Sequence, residues 1–476
     1  MLKRIVAMLL FVAMAMTMLA ACNGNTTPGT KGEVNFKVPE TGFDAETPIT
    51  ITFMNTMGSN LATVLEAYIA EFEAMFPNID VQSINGGGYD DVRDTIVTEI
   101  TVGGQPNIAY CYPDHVALYN LADAVATLDD LIESQLTVTR ADGTTEIIGL
   151  TAEQKDNFIE GYYTEGTSFG DGLMYTMPFS KSTEVLYYNK TFFDAHNLSV
   201  PTTWDEMEAV CAKIKEIDPE SIPLGYDSES NWFITMCEQY KSPYTSATGD
   251  HFLFDNEQNH EFIKRFNDWY AKGYLTTQTL YGAYTSGLFT STNGLESYMS
   301  IGSSAGATYQ RPAANSDGSY PFDVGIATVP QVDAENKKVI SQGPSVCIFK
   351  KSNPQEVIAS WLFVKYLTTS VDFQAEFAMA SGYVPVLKSV AENEGYADFL
   401  SKANGGNYVA ALSAKVCLEQ ADAYYTSPAF NGSSAARDEV GKLIQFCMTD
   451  PSCATPAGIK TAFEKAIQEC KHQIGQ

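Results

Sequence analysis

The chain has 476 residues, with 58 Asp and Glu against 29 Lys and Arg, so its formal net charge is −29 at pH 7. Proteins that bind nucleic acid need a basic stripe, and this composition argues against such a partner. The acidity favours solubility but identifies no ligand. The length exceeds that of a single hydrophobic core, which predicts two lobes or domains.

The N-terminus has the pattern of a secretory signal peptide. A basic head at 1–4 precedes an apolar run at 5–21 that ends in small residues. The stretch LAAC at 19–22 resembles the bacterial lipobox, which implies that 1–21 is removed and that Cys22 carries a lipid. Two or more acyl chains hold a protein stably on a membrane. An uncleaved anchor is the alternative, because the run is close to the shortest length that spans a bilayer.

The segment that follows Cys22 is rich in Gly, Thr, Pro and charged residues. We predict that 22–45 comprises the lipidated cysteine and a flexible stalk. The sequence contains no second apolar run of spanning length, so the rest of the chain is expected to lie outside the membrane.

Predicted strands and helices alternate along the rest of the chain. Strands are indicated by alternating or short β-rich runs, and helices by apolar residues spaced three to four apart. In chain order they are a strand at 49–54, a helix at 61–76, a strand at 79–82, a helix at 90–102, strands at 107–111, 173–179 and 184–189, a helix from 202, strands at 322–330 and 345–349, and a helix at 354–368. This order is typical of a parallel or mixed sheet, so the fold class is α/β.

Eight cysteines remain after Cys22, and an exported chain can pair some of them. Cys447 and Cys453 are close enough in sequence for a local disulfide, with buried free thiols as the alternative. The sequence has no C-x-x-C spacing and only five His, none near another. A zinc site is therefore not expected.

Seven segments, taken together and in order, resemble the extracellular solute-binding proteins of ABC importers, the family that includes maltose-binding protein. They are EFEAMFPNIDV (71–81), GGQPNIAY (103–110), MPFSKSTEVLYYNKTFF (177–193), PTTWDEM (201–207), ISQGPSVCIF (340–349), ASWLFVKYLTT (359–369) and SGYVPV (381–386). The resemblance covers nearly all of the chain after Cys22.

The resemblance implies a two-lobed, periplasmic-binding-protein-like fold of type II. Each lobe is expected to be a mixed sheet flanked by helices, and hinge segments cross between the lobes beside a ligand cleft. The N-terminal lobe is expected at 46–181 and 326–370. The C-terminal lobe is expected at 182–325 and 371–476.

Within this family the pattern is most similar to the glycerol-3-phosphate-binding branch. That similarity implies a ligand site made of Tyr89, Asp114, Ser182, Trp232, Ser303 or Ser304, Gly343, Tyr383 and Arg437. One departure is Gln342, where the family pattern favours a second glycine, and it is expected to reshape the phosphate end of the site.

These residue types suit a hydroxyl-rich ligand. Tyr89, Trp232 and Tyr383 offer aromatic plates for C–H faces, and Asp114 accepts hydrogen bonds from hydroxyls. Arg437 suits a phosphate, a carboxylate or two sugar hydroxyls. Its alternative role is a surface salt bridge with a neighbouring acid. The backbone of Gly343 is expected to lie near a ligand oxygen. Trp204 is assigned to packing within the protein and not to the ligand site.

The expected function is that of a lipid-tethered, monomeric, non-catalytic receptor. It would capture an oligosaccharide, glycerol 3-phosphate or a glycerophosphodiester and deliver it to an ABC permease, without a metal or cofactor. The alternative is a glycan-acting enzyme such as a glycosidase; a structural lipoprotein is disfavoured because no repeats occur. The G-x-S-x-G match at 302–306 does not indicate a hydrolase, because the only later His is His472, in the C-terminal tail.

Overall fold

A computed structural model of the protein describes residues 31–292, 294, 296–404 and 408–476. The expected signal peptide at 1–21 and the expected lipidation site Cys22 lie outside these residues. No helix within the described ranges combines the length and the apolar composition that a bilayer span requires.

The strands, in chain order, are β1 Ile49–Asn55, β2 Ile79–Asn85, β3 Ile108–Cys111, β4 Thr137–Thr139, β5 Thr145–Ile147, β6 Thr176–Pro178, β7 Ser182–Asn189, β8 Leu224–Tyr226, β9 Leu275–Thr277, β10 Met299–Ser303, β11 Val324–Ala327, β12 Val339–Gln342, β13 Ser345–Ile348 and β14 Tyr424–Tyr425.

The α-helices are α1 Ser59–Met75, α2 Tyr89–Ile100, α3 Pro113–Tyr119, α4 Asp129–Glu133, α5 Ala152–Asn157, α6 Glu160–Thr164, α7 Lys190–His196, α8 Trp204–Ile217, α9 Glu229–Tyr240, α10 Glu257–Ala271, α11 Gln278–Tyr281, α12 Ser286–Phe289, α13 Pro354–Thr369, α14 Val371–Ser381, α15 Glu394–Ser401, α16 Val409–Glu419, α17 Ser433–Thr449 and α18 Pro456–Gln473. Short 3-10 helices lie at Asn120–Ala122, Glu165–Thr167, Ser304–Gln310, Lys388–Glu392, Lys402–Asn404, Ala421–Ala423 and Pro451–Ala454.

The first lobe is built on a five-stranded mixed sheet in the order β2-β1-β3-β13-β6. β1 pairs in parallel with β2 and β3, whereas β13 runs antiparallel to β3 and β6. The apolar positions of β1 and of α1 face one core, where Phe53 and Phe72 are fully buried. The predicted strand–helix–strand unit at the start of this lobe is confirmed.

The second lobe has a seven-stranded sheet in the order β14-β12-β7-β10-β8-β9, with β11 also paired to β7. β7 is antiparallel to β10, β11 and β12, and β8 is parallel to β9 and β10. Helices α8, α9, α10, α17 and α18 surround a second core. The predicted α/β class with a mixed sheet in each lobe is therefore confirmed.

The chain crosses between the sheets where β6 leads into β7 and again where β12 leads into β13. The two crossings touch at Gly343, whose φ is 92°. A Cβ atom there would lie 2.6 Å from the Ser180 oxygen and 2.7 Å from the Lys181 Cα atom. Only glycine fits this close approach and this positive φ.

The lobe boundaries differ from the expected ones because strand pairing crosses them. β11 and β12 belong to the second sheet, although 326–370 was assigned to the N-terminal lobe. Conversely, α14 packs on the first lobe: the ring of Phe373 lies 5.5 Å from that of Phe179, although 371–476 was assigned to the C-terminal lobe. The chain returns to the second lobe at α16, which packs on β7 and β11.

The described part of the expected stalk, from residue 31 to residue 45, is held against the first lobe. The backbone N–H of Asn35 donates to the Thr127 hydroxyl at 3.0 Å, and that of Val38 donates to the Asp130 carboxylate at 2.7 Å. Lys31 forms an ion pair with Asp129 at 2.6 Å. A flexible stalk is therefore wrong for this segment, because these partners lie about ninety residues away and composition does not reveal them.

All eight cysteines after Cys22 are buried free thiols. Cys447 and Cys453 therefore form no disulfide with each other, and the alternative of buried free thiols is confirmed.

A buried ion pair lies where the crossings meet. The ammonium of Lys181, 1% exposed, contacts the Glu165 carboxylate and lies 3.0 Å from the Ser345 hydroxyl. The Thr426 hydroxyl, which follows β14, donates to the other Glu165 oxygen at 3.2 Å. The pair therefore ties both crossings to the second lobe.

We predict that Lys181→Met lowers the free energy of unfolding by about 3–5 kcal/mol, because it leaves the Glu165 charge buried and unpaired. The matched control is Lys190→Met, which removes an exposed ion pair with Asp194 and should cost less than about 0.5 kcal/mol. Urea unfolding measures both. A Lys181→Met protein as stable as the control would show that the pair adds nothing.

The expected ligand plate Trp232 lies in the second core and not in the cleft. It is 0% exposed, stacks on Tyr226 with ring centroids 4.6 Å apart, and packs on Phe266 at 3.8 Å. Trp204 lies beside it at 6.1 Å, which agrees with its assignment to packing. The role of Trp232 as a ligand contact is therefore wrong, because its helix turns this side chain toward the core.

Trp232→Ala should lower the free energy of unfolding of the ligand-free protein by about 3–5 kcal/mol through the cavity that it leaves. Tyr309→Ala, at an aromatic residue that is 75% exposed, is the control and should change it by no more than about 0.5 kcal/mol. Chemical unfolding of the two variants compares them. Equal effects would contradict the core position of Trp232.

Candidate ligand-binding cleft

A cleft of about 1240 Å³ lies between the lobes. Its first-lobe wall comes from the ends of α2 and α3 and from Tyr383, and its second-lobe wall comes from α9 and α17. The ends of β7, β10 and β12 form its floor. The volume exceeds the range of about 300–1,000 Å³ that is usual for small-ligand pockets, so an extended ligand fits.

Six of the nine expected ligand residues line this cleft, and three do not. Those that line it are Tyr89, Asp114, Ser182, Ser303, Tyr383 and Arg437. Ser304 is fully buried, and its hydroxyl accepts the Thr183 N–H at 3.2 Å. Gly343 borders an adjoining cavity of about 50 Å³, which shares Asp114 and Arg437 with the cleft. The Gly343 carbonyl oxygen lies 3.5 Å from the Lys181 ammonium.

The G-x-S-x-G stretch is therefore not a nucleophile elbow. Its central residue, Ser304, is enclosed, and a 3-10 helix follows β10 where a hydrolase has an α-helix. Within the described part of the chain, no group of three or more His, Cys, Asp or Glu is arranged to hold a metal ion.

Tyrosines form the first-lobe wall. The hydroxyls of Tyr89 and Tyr383 lie 3.2 Å apart, and the Tyr89 ring stacks on Tyr112 with centroids 4.6 Å apart. Burial raises the pKa of Tyr89 well above its ordinary value, so the hydroxyl stays protonated. The wall offers aromatic faces and neutral hydroxyls, which suits a ligand with alternating C–H and O–H groups. Sequence reasoning missed Tyr112.

Asp114 opens α3, directly after Pro113 at the first helical position. The Ser434 hydroxyl of α17 donates to its carboxylate at 2.9 Å, which joins the two lobes across the cleft. Burial raises the pKa of Asp114, but the neighbouring His115 and Arg437 and the hydrogen bond from Ser434 outweigh it. The pKa is lowered overall, so Asp114 is a carboxylate that accepts hydrogen bonds.

Arg437 reaches the cleft from α17 and donates to the Asn231 side-chain oxygen. Asn231 and Gln342 hold each other through two hydrogen bonds of 2.7 and 2.8 Å. Gln342 therefore orients the amide that Arg437 contacts, and its effect on the shape of the phosphate end stays a prediction. Asn231, one residue before Trp232, is a cleft residue of α9 that sequence reasoning missed.

The alternative role of Arg437 in a local salt bridge is wrong. Its neighbour Asp438 faces Arg93 of the first lobe at 3.9 Å, and Glu439 pairs with Lys442 at 2.6 Å. Among the described residues, no carboxylate lies within ion-pair distance of Arg437. Its remaining N–H groups are therefore available to a ligand.

The cleft lining is acidic overall. Its acidic members are Asp90, Asp91, Asp114, Glu184, Asp227, Glu229 and Asp438, and its basic members are Arg93, Arg437 and Lys442. A negatively charged ligand would therefore depend on the Arg437 end. Two of these acids, Glu184 and Asp227, are buried floor residues that no sequence motif indicates.

Residues 67–403 match the family described as bacterial extracellular solute-binding protein. The chain is 23% identical over 368 residues to the sn-glycerol-3-phosphate-binding periplasmic protein UgpB of Salmonella typhimurium, which covers 73% of this chain and 77% of that protein. The match to its Shigella flexneri counterpart spans 39% of that protein's length, at 24% identity.

Two solved structures share the fold over nearly their whole length. One is UgpB from Mycobacterium tuberculosis in complex with glycerophosphocholine, with a TM-score of 0.69, 15% identity, and coverage of 89% of this chain and 98% of that one. The other is the cyclic alpha-maltosyl-1,6-maltose binding protein from Arthrobacter globiformis, with a TM-score of 0.66, 18% identity, and coverage of 90% and 99%. The chain belongs to the bacterial extracellular solute-binding proteins.

Proposed function

We propose that the chain is the solute-binding component of an ABC importer and that it captures a carbohydrate-class ligand for a membrane permease. The ligand is an oligosaccharide, glycerol 3-phosphate or a glycerophosphodiester. The observation that carries the proposal is a large cleft with a tyrosine wall on one lobe and Arg437 on the other. The chain acts without catalysis, as the solute-binding members of its family do.

Ligand capture works through closure of the lobes. A ligand that touches both walls stabilises the closed state relative to the open one. Two contacts already join the walls, between Ser434 and Asp114 and between Arg93 and Asp438. The permease then distinguishes the loaded receptor by its closed shape.

The two ligand classes make different demands on Arg437. A phosphate needs charged donors, and a charged hydrogen bond is worth roughly 1.5–3 kcal/mol. A neutral saccharide is also served by the hydroxyls of Ser182 and Ser303 and by Asp114. The named ligands of the relatives include both classes, so the ligand of this chain has to be measured.

Calorimetry with maltotriose, glycerol 3-phosphate and glycerophosphocholine tests the function. Arg437→Ala should weaken a phosphate-containing ligand roughly ten- to a hundredfold and a neutral saccharide less. Lys442→Ala is the control, because Lys442 also lines the cleft but is largely exposed and pairs with Glu439.

Tight binding of maltotriose with no binding of either phosphate compound would exclude the phosphate-containing ligands and leave a sugar receptor. Binding of no compound in the panel at millimolar concentration would contradict the proposed function.

We further propose that Cys22 is lipidated and holds the receptor at the outer face of the cell membrane, as the lipobox resemblance implies. Cys22→Ser should prevent both acylation and cleavage before residue 22, so the precursor keeps its signal peptide. Asn25→Ser, outside the lipobox, is the control. Mass spectrometry of the N-terminal peptide reads both, and a wild-type N-terminal peptide without an acyl mass on Cys22 would exclude lipidation there.

A further inference from the structure

The floor of the cleft contains a buried acid, Glu184, that is not among the expected ligand residues. Glu184 is the third residue of β7, lines the cleft and is 1% exposed. Its Oε2 atom accepts the Tyr226 hydroxyl at 2.6 Å. Its Oε1 atom has no hydrogen-bond partner among the described residues. A buried polar atom without a partner costs free energy, so this atom is poised for a group that enters the cleft.

The surroundings of Glu184 favour its uncharged form. Within the described ranges, no Lys, Arg or His forms an ion pair with it, and Arg437 is engaged with Asn231. Burial raises the pKa of Glu184 to about 8, against the opposing effects of the Tyr226 hydrogen bond, the nearby Asn231 amide and the charge of Arg437. Asp227, also buried, adds to the rise. At neutral pH the side chain is therefore mostly a carboxylic acid.

We propose that Glu184 determines ligand specificity as a neutral carboxylic acid: Oε2 keeps the Tyr226 hydrogen bond, and the hydroxyl on Oε1 donates to a ligand oxygen that carries no hydrogen, such as a phosphate ester oxygen. This inference rests on the proposed function, because it requires the cleft to be the ligand site.

The neighbours of Glu184 support an acceptor oxygen as its partner. The hydroxyl of Ser182, two residues earlier on the same strand, and the guanidinium of Arg437 both line the cleft and can donate. With a neutral Glu184, this end of the cleft offers two hydroxyl donors and the positive charge of Arg437, and Asp227 is the remaining negative charge near Glu184. An ionised Glu184 would repel a phosphate. Its carboxylate oxygen and the ligand oxygen would then both be acceptors, with no hydrogen atom between them.

A neutral Glu184 that donates to the ligand predicts how ligand affinity changes with pH. Only the protonated form donates, so affinity for a phosphodiester is constant below the pKa of Glu184 and falls about tenfold per pH unit above it. The titratable and charged groups that face Glu184 are Tyr226 and Asp227 at the end of β8, Arg437 of α17 and Tyr425 of β14.

These facing groups do not titrate in the same range. Burial raises the pKa of Tyr226 and of Tyr425 well above the ordinary value, and it raises the pKa of Asp227 to about 6. Between about pH 7 and about pH 9, Glu184 is therefore the member of this set that changes charge.

Calorimetry with glycerophosphocholine at about pH 7, 8 and 9 tests the inference, because a phosphodiester lacks the second ionisation near pH 6 of a phosphate monoester. Wild type should lose roughly tenfold in affinity between about pH 7 and about pH 9. Glu184→Gln keeps a neutral donor and acceptor, so it should bind at pH 7 within a few-fold of wild type and show no fall. Asp398→Asn, at an acid that is 68% exposed and does not line the cleft, should keep the wild-type profile.

Wild-type binding that stays flat to pH 9 would overturn the role of Glu184 and leave the proposed function intact. Loss of binding in Glu184→Gln at pH 7 would also overturn it, because the carboxylate would then be the required form.

A ligand-free measurement decides the protonation state if glycerophosphocholine does not bind. The pKa of Glu184 is raised in the folded state, so the unfolded chain releases this proton at lower pH than the folded one. The melting temperature of wild type should therefore fall relative to that of Glu184→Gln as pH rises from about 4 toward about 8. Parallel melting profiles of the two proteins would refute a neutral Glu184.

Discussion

The close approach of two backbone segments at Gly343 is the constraint on which the rest of the molecule depends. There the chain that leaves the second sheet lies against Ser180 and Lys181, which leave the first, with no room for a Cβ atom. Because the two crossings touch, the start of β7 lies beside the end of β12. Ser182 and Gln342 are therefore brought to one place, and the cleft opens directly above the hinge.

The cleft combines walls that belong to different lobes with a floor that belongs to the hinge. The rings of the tyrosine wall stack on each other, and Gln342 holds Asn231 at the Arg437 end. Between them the floor supplies Glu184, which is buried and forms no ion pair among the described residues. A binding surface with preorganised donors at one end and aromatic faces at the other discriminates between ligands by the position of their oxygen atoms.

Sequence patterns predicted the α/β class and the early elements, and six of the nine expected ligand residues line the cleft. The predictions failed where a shift of one residue along the chain decides which side chain faces the cleft. Asn231 and Trp232 are adjacent on a helix, so they point about 100° apart, and only packing selects which one enters the core. Ser303 and Ser304 pose the same problem at the end of a strand. Glu184 was missed because its chemistry comes from burial. The segment from residue 31 to residue 45 was misjudged because its partners, such as Thr127 and Asp130, are distant in sequence.

The attachment of that N-terminal segment makes the two lobes mechanically unequal. Gly32 donates its backbone N–H to the Asp171 carbonyl at 2.7 Å, and Lys31 pairs with Asp129, so the segment is fastened to the first lobe from its first described residues. A force exerted through the preceding chain therefore acts on the first lobe and not on the hinge. In the proposed closure of the lobes, the first lobe is therefore the fixed frame, and the second lobe, which no such segment holds within the described ranges, is the part that moves.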